Sequence, residues 1–135
     1  MQLSCSLWIL SYNSFMSKIE TIINQSNIKL TTARIAILEL FAQAKKPLCY
    51  EDIKSKLSMD KATFYRNIAK FEEENILNSF ESNDKKRYYE IQKNPHAHFI
   101  CSHCSKIECI KEQNISLDGY KIDNIIIKGI CPNCL

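Results

Sequence analysis

Up to about residue 91 apolar residues recur at helical spacing; beyond it they fall into short β-branched runs among cysteines and histidines. Ile19, Ile22 and Ile23 share a face between Ser17 and Ser26 and predict a first helix. Thr31 or Thr32 can cap a second, in which Ile35, Leu38 and Phe41 form a stripe before Lys45-Lys46-Pro47 ends it. A short third helix is expected over residues 50–57, with Ile53 and Leu57 inward and Glu51 and Asp52 near its positive N-terminus. Asp60 opens a fourth that runs to about Glu74, its stripe being Phe64, Ile68 and Phe71. Ile76 to Phe80 and Arg87 to Ile91 predict two strands, with Asn83-Asp84-Lys85 as their turn.

Short helices followed by a hairpin is the element order of a winged helix-turn-helix, whose last helix enters the DNA major groove while the hairpin flanks it. The chemistry changes near residue 91, and Asn94-Pro95 punctuates the change. The expected fold class is therefore α+β. A tail over residues 1–16 precedes a winged-helix DNA-binding domain over 17–91 and a small zinc-stapled, β-rich domain over 95–135.

Of 135 residues, 45% are apolar and 24% charged, which excludes a disordered or fibrous chain. No apolar run approaches the ~18 residues of a membrane span, so no membrane partner is expected. The N-terminal apolar patch has no basic stretch before it, which argues against a signal peptide; a second Met at position 16 marks the preceding segment as a tail or a misassigned start. Seven cysteines, five of them in the last 35 residues, are odd in number and partly arranged as CxxC pairs. That pattern fits metal-bound thiolates in a reducing cytoplasm better than a secreted disulfide framework.

If Phe64, Ile68 and Phe71 face the core, then Lys61, Ala62, Tyr65 and Arg66 face away. Lysine and arginine can hold phosphates, arginine can also read guanine, and Ala62 or Tyr65 can touch a thymine methyl. An isolated helix of this kind would more simply be a solvated surface; the elements around it favour DNA. The net charge is only +3, and residues 36–90 balance acidic against basic side chains. Binding must then rest on a few placed cations, among them Lys29, Arg34, Lys61, Arg66 and Lys85 to Arg87, and must weaken steeply with salt. Glu72-Glu73-Glu74 is expected to be a solvated helix end.

The sharpest signal is the pair Cys101-Ser-His-Cys104 and Cys131-Pro-Asn-Cys134. Each CxxC can sit on a tight turn, and together they place four thiolates around one tetrahedral Zn2+. Strand-like runs at Lys106 to Ile110 and Tyr120 to Lys128 can bring the pairs together. A closed four-sulfur shell leaves no open position, so this zinc is structural, and it should stabilise a segment of only about 40 residues outright. Glu90, His96, His98 and Cys109 form a second candidate cluster. His96 and His98, two apart, project from one face of a strand. Of the neighbours Glu108 and Cys109, only one can point inward with them. The competing reading has the histidines solvated and Cys109 in the core. His103 is expected to face solvent, and Cys5 and Cys49 to have no metal role.

Taken together, these residues resemble the ferric uptake regulator family of metal-sensing bacterial repressors. Lys29-Leu-Thr-Thr-Ala-Arg34-Ile-Ala-Ile-Leu38 is similar to the family's opening K-x-T-x-x-R-x-x-I-L helix, and Ala62-Thr63-Phe64-Tyr65-Arg66-Asn67-Ile68 to its A-T-V-Y-R-T-L recognition helix. His96-Ala-His98-Phe-Ile-Cys101-Ser-His-Cys104 and Gly129-Ile-Cys131-Pro-Asn-Cys134 resemble its two cysteine motifs. The resemblance implies a homodimer that binds double-stranded palindromic operator DNA, with the C-terminal domain dimerising and a regulatory metal between the domains. The expected DNA-contacting set is Lys29, Lys61, Thr63, Tyr65 and Arg66; the resemblance implies Tyr65 on a base, Arg66 on a phosphate and Lys29 toward the minor groove. It matches Glu90, His96 and His98 to the sensing site, with no small-molecule substrate.

The departures matter. Pro47 stands where a histidine ligand is usual, Ala97 lies between the paired histidines, and Tyr120 to Lys128 contains no histidine. Only Lys111 to Leu117 remain for the usual long helix, and Cys109 occupies a place where an acidic ligand is common. These features resemble a subgroup with a shortened C-terminal domain. The second, regulatory divalent metal is then Zn2+ or Fe2+; a thiolate with two imidazoles favours Zn2+. An enzyme is not expected: a zinc deaminase needs H-x-E followed by P-C-x-x-C, whereas His96-Ala-His98 lacks the glutamate and Pro132 lies inside its pair. The remaining alternative is a non-sensing zinc-ribbon module that binds DNA, RNA or protein.

Overall fold

A computed structural model describes residues 19–91, 97–110 and 116–135. The 1–16 tail, Cys5, His96 and residues 111–115 lie outside the described residues. The architecture is α+β: helices and a hairpin arranged as a winged helix-turn-helix, then a small β-rich unit.

Helix α1 covers residues 19–24 and buries Ile19 and Ile23. Helix α2 (Thr32–Gln43) begins where the Thr31 hydroxyl accepts the Arg34 backbone N–H, which selects Thr31 over Thr32 as the cap. Strand β1 (Leu48–Cys49) follows Pro47 and was not foreseen; a two-residue strand has no periodicity to betray it. Helix α3 (Tyr50–Ile53) is shorter than expected, because its last turn tightens into a 3-10 helix over Lys54–Lys56 before Leu57 becomes extended. Helix α4 (Lys61–Glu73) is capped by Asp60, whose carboxylate accepts the Thr63 N–H at 2.8 Å.

Strands β2 (Leu77–Glu81) and β3 (Arg87–Ile91) form the wing, with Leu77 opposite Ile91 and Glu81 opposite Arg87. Lys85, in the left-handed region at φ 62°, turns the hairpin. β1 pairs with the other edge of β3, giving the order β1-β3-β2. Phe64, Ile68 and Phe71 are fully buried against Ile37, Leu38, Phe41, Ile53 and Tyr89. Full burial of each such side chain contributes about 1.5–3 kcal/mol. The acidic end of α4 is less solvated than expected. Glu72 accepts the Ser79 hydroxyl at 3.1 Å, and Glu74 accepts the Asn27 N–H.

The second sheet has β4 (Ala97–Cys101) at its centre, antiparallel to β5 (Ile107–Ile110) and parallel to β6 (Ile125–Gly129). The predicted strand at Tyr120 to Lys128 thus pairs only from Ile125. Gly119 turns the chain at φ 81°, and Asn124 commits its side chain to β2 instead of the sheet. A Cβ at Gly129 would lie 3.3 Å from the Phe99 ring, so glycine lets β6 approach β4 closely.

Candidate metal centres and nucleic-acid interface

The parallel pairing of β4 and β6 sets Cys101 opposite Gly129, which brings the second CxxC alongside the first. Ser105, at φ 62°, closes the first knuckle, and Pro132–Cys134 form a 3-10 turn that closes the second. The Sγ atoms of Cys101, Cys104, Cys131 and Cys134 all lie within 4.8 Å of one another. A zinc with four sulfurs at ~2.3 Å has sulfur–sulfur edges of about 3.8 Å; Cys104 Sγ and Cys131 Sγ are 3.8 Å apart. The donor set and spacing fit the ion.

The backbone prepares the sulfurs unequally. Cys101 Sγ accepts N–H groups from His103, Cys104 and Cys131, each at 3.4 Å. These bonds, that from Cys104 foremost, lower its pKa to about 6. Cys134 is pushed up to about 12, chiefly by its hydrogen bond with Cys131 and then by burial. His103 itself is exposed, as expected, and serves this site through its backbone.

The second cluster joins the two halves. Tyr89 points into the helical core, so Glu90, the next residue on β3, projects from the opposite face toward the C-terminal sheet. There its Oε1 lies 3.0 Å from His98 Nε2. His98 is 1% exposed, its ring stacks on Phe80 of β2 at 4.7 Å, and Cys109 is its cross-strand partner on β5. The donor atoms of Glu90, His98 and Cys109 lie within 4.8 Å of one another. Between the neighbours on β5, it is Cys109 that faces the cluster; Glu108 is exposed and paired with Lys106. One carboxylate, one imidazole and one thiolate suit a borderline divalent ion such as Zn2+. Cys49 lies apart from both clusters, buried, with its thiol bonded to Asp52 at 3.2 Å. Burial and that bond raise its pKa.

The same seam carries hydrogen bonds that nothing in the spacing foretold. Asn78 donates to Asn124 Oδ1 at 2.7 Å, and Asn124 donates to the Ser79 carbonyl at 3.0 Å. Asn83, in the wing turn, donates to the Cys101 carbonyl at 3.3 Å.

Lys61, Tyr65 and Arg66 lie on the exposed face of α4, and Lys29 is exposed ahead of α2. Thr63 is half-buried; its N–H goes to Asp60 and its carbonyl accepts the Asn67 amide. Arg34 holds this surface together: its Nε donates to Asn67 Oδ1 at 3.0 Å and an Nη to the Lys29 carbonyl at 2.7 Å. Tyr50 of α3 was not among the sequence candidates, yet its ring lies 5.7 Å from that of Tyr65. At the wing tip Lys85, Lys86 and Arg87 are exposed, and Asp84 braces the turn through the Lys86 N–H and the Tyr88 hydroxyl.

A sequence profile of the Ferric uptake regulator family matches residues 25–125. The Ferric uptake regulation protein of Neisseria meningitidis is 28% identical, over 83% of this chain and 90% of its own length. The Helicobacter pylori ferric uptake regulator, whose structure reveals three functional metal binding sites, superposes with a TM-score of 0.68 at 20% identity, covering 90% of this chain and 92% of that one. A zinc uptake regulator complexed with zinc and DNA superposes with a TM-score of 0.58 at 17% identity, covering 90% and 93%. Among the described residues, no helix is long and apolar enough to cross a membrane.

Proposed function

The chain belongs to the ferric uptake regulator family, whose members are transcriptional regulators and not enzymes, and from that membership we propose that it is a metal-dependent cytoplasmic repressor binding palindromic operator DNA as a homodimer. The winged-helix domain, residues 17–91, grips DNA through Lys29, Lys61, Thr63, Tyr65 and Arg66. The domain over 95–135 dimerises. Cys101, Cys104, Cys131 and Cys134 hold a structural zinc. Glu90, His98 and Cys109 hold the sensed ion, with His96 the expected fourth donor.

The observation that carries this reading is the origin of the three donors: Glu90 comes from the wing, and His98 and Cys109 from the C-terminal sheet. A divalent ion bound there supplies a cross-link between their lone pairs. Glu90 then holds β3, and the wing with it, in one orientation against the C-terminal sheet. DNA that prefers the same orientation is linked to that site, typically by ~1–3 kcal/mol. The thiolate and imidazole favour zinc over iron as the sensed metal. The zinc uptake regulator complexed with zinc and DNA supports a zinc-responsive DNA binder on this fold.

The test is to count metals before and after mild chelation and to assay each form against a duplex selected from random DNA by the metal-loaded protein. Two metals per chain, one of them exchangeable, with DNA affinity falling about 5–150-fold on its removal, is the expected result. A single tightly held zinc with unchanged DNA affinity would leave a zinc-stapled binding module.

A further inference from the structure

Tyr50 opens α3 and points its ring at the start of α4. One side packs on the buried Phe64 ring at 4.9 Å; Tyr65, 39% exposed, lies 5.7 Å away. Lys61 and Tyr65 stand four residues apart, neighbours on one helical face. The Lys61 Nζ lies 5.6 Å from the Tyr50 ring centre and 5.9 Å from that of Tyr65. Both fall within the ~6 Å over which an aromatic face attracts an ammonium. Two rings on different helices therefore flank one cation. Glu51 beside it is paired with Lys54 at 2.6 Å and also attracts the Lys61 ammonium at longer range. The two ring faces orient the ammonium without cancelling its charge.

We propose that Tyr50 is a positioning residue for DNA recognition: from α3, its ring directs the Lys61 ammonium and the Tyr65 ring on the exposed face of α4. This rests on the DNA-binding reading above. It places part of the recognition surface outside the recognition helix. A phosphate approaching α4 meets a full positive charge held in a fixed direction, and Tyr65 meets a base with its ring already braced.

The experiment compares Tyr50→Phe, Tyr50→Leu, Lys61→Met and the Tyr50→Leu/Lys61→Met double variant in the full-length, metal-loaded protein. Leucine keeps apolar contact with Phe64, and a thermal melt checks that each variant folds. The probe is a duplex selected by the wild-type protein. Tyr50→Leu should weaken binding about three- to tenfold and Tyr50→Phe hardly at all. Lys61→Met should lower the slope of log affinity against log salt by about one. In the Tyr50→Leu background, Lys61→Met should cost markedly less than it does alone, because the first change has already released the lysine. In DNA-free protein, the Lys61 ε-methylene protons should resonate upfield from ring currents and move toward ordinary values in Tyr50→Leu but not in Tyr50→Phe. Wild-type affinity in Tyr50→Leu, equal losses in Tyr50→Phe and Tyr50→Leu, fully additive losses, or an unshifted Lys61 resonance would each overturn the proposal. If the wild-type protein selects no duplex, the regulator reading falls and this proposal with it. The Lys61 resonance would still show whether the rings flank the lysine.

Discussion

The two halves of this molecule are held together by different chemistry. In the winged half, a continuous apolar cluster runs from Ile19 through Phe41, Phe64 and Phe71 to Tyr89 and Ile91. Beyond residue 91 the buried apolar side chains, among the described residues, are Ala97, Ile100 and the sulfur-bearing Cys101 and Cys131. Ile126, Ile127, Ile130 and Leu135 are exposed. A three-stranded sheet with so little burial is near the limit of what folds unaided. Hydrophobic burial stabilises the first half; the zinc proposed at the four sulfurs would stabilise the second. The seam between them combines a mixed-donor cluster and a few amide hydrogen bonds with the Phe80–His98 ring stack. Each layer should therefore answer to a different reagent.

The largest effect should come from the sulfur site. Structural zinc is worth about 10–16 kcal/mol of apparent binding energy in small zinc-dependent peptides. Cys101→Ser, or exhaustive chelation, should unfold the C-terminal sheet and leave the helical circular dichroism of the winged half largely intact. Acid should act similarly. Protons compete with zinc for the four thiolates, so the ion's contribution to stability is lost as pH falls. Cys134, held near 12 before zinc binds, must release its proton to solvent for its sulfur to bind the ion, so zinc affinity should rise with pH above neutrality.

Next in size is Phe64→Ala, which opens a cavity in the helical core and should cost about 3–5 kcal/mol. Denaturant melts should register it while sulfur-bound zinc per folded chain stays unchanged; zinc loss in step with that destabilisation would merge the two halves into one cooperative unit. Cys109→Ser should lower affinity for the exchangeable ion at least about tenfold, or ~1.4 kcal/mol, without touching the structural zinc. Equal ion affinity would remove Cys109 from the sensing site. The smallest effect is expected at the seam. Asn124→Ala removes the bonds to Asn78 and the Ser79 carbonyl and should cost ~1 kcal/mol. It should be visible as a lower midpoint of the C-terminal transition.

What sequence reasoning could see follows from the same contrast. The α4 stripe, the wing strands and the two CxxC pairs announce themselves through periodicity and spacing, which are local properties. Features made by distant residues were illegible. The choice of Cys109 over Glu108 depends on the register of β5 against β4, which sets Cys109 opposite His98. The seam between Asn78 and Asn124 and the placement of Tyr50 beside Lys61 depend on packing across more than one element. Residues 120–124 resembled a strand because isoleucine and tyrosine favour one; Gly119 and the tertiary engagement of Asn124 overrode that preference.

The central claim is that an ion held by Glu90, His98 and Cys109 and a DNA duplex favour the same arrangement of the two halves. Linkage makes this reciprocal, so the most direct measurement titrates the exchangeable ion into protein that retains its structural zinc, with and without the selected duplex. Ion affinity should rise with DNA present by the same factor, about 5–150-fold, by which the ion raises DNA affinity. Identical ion affinity in the two titrations would contradict the account.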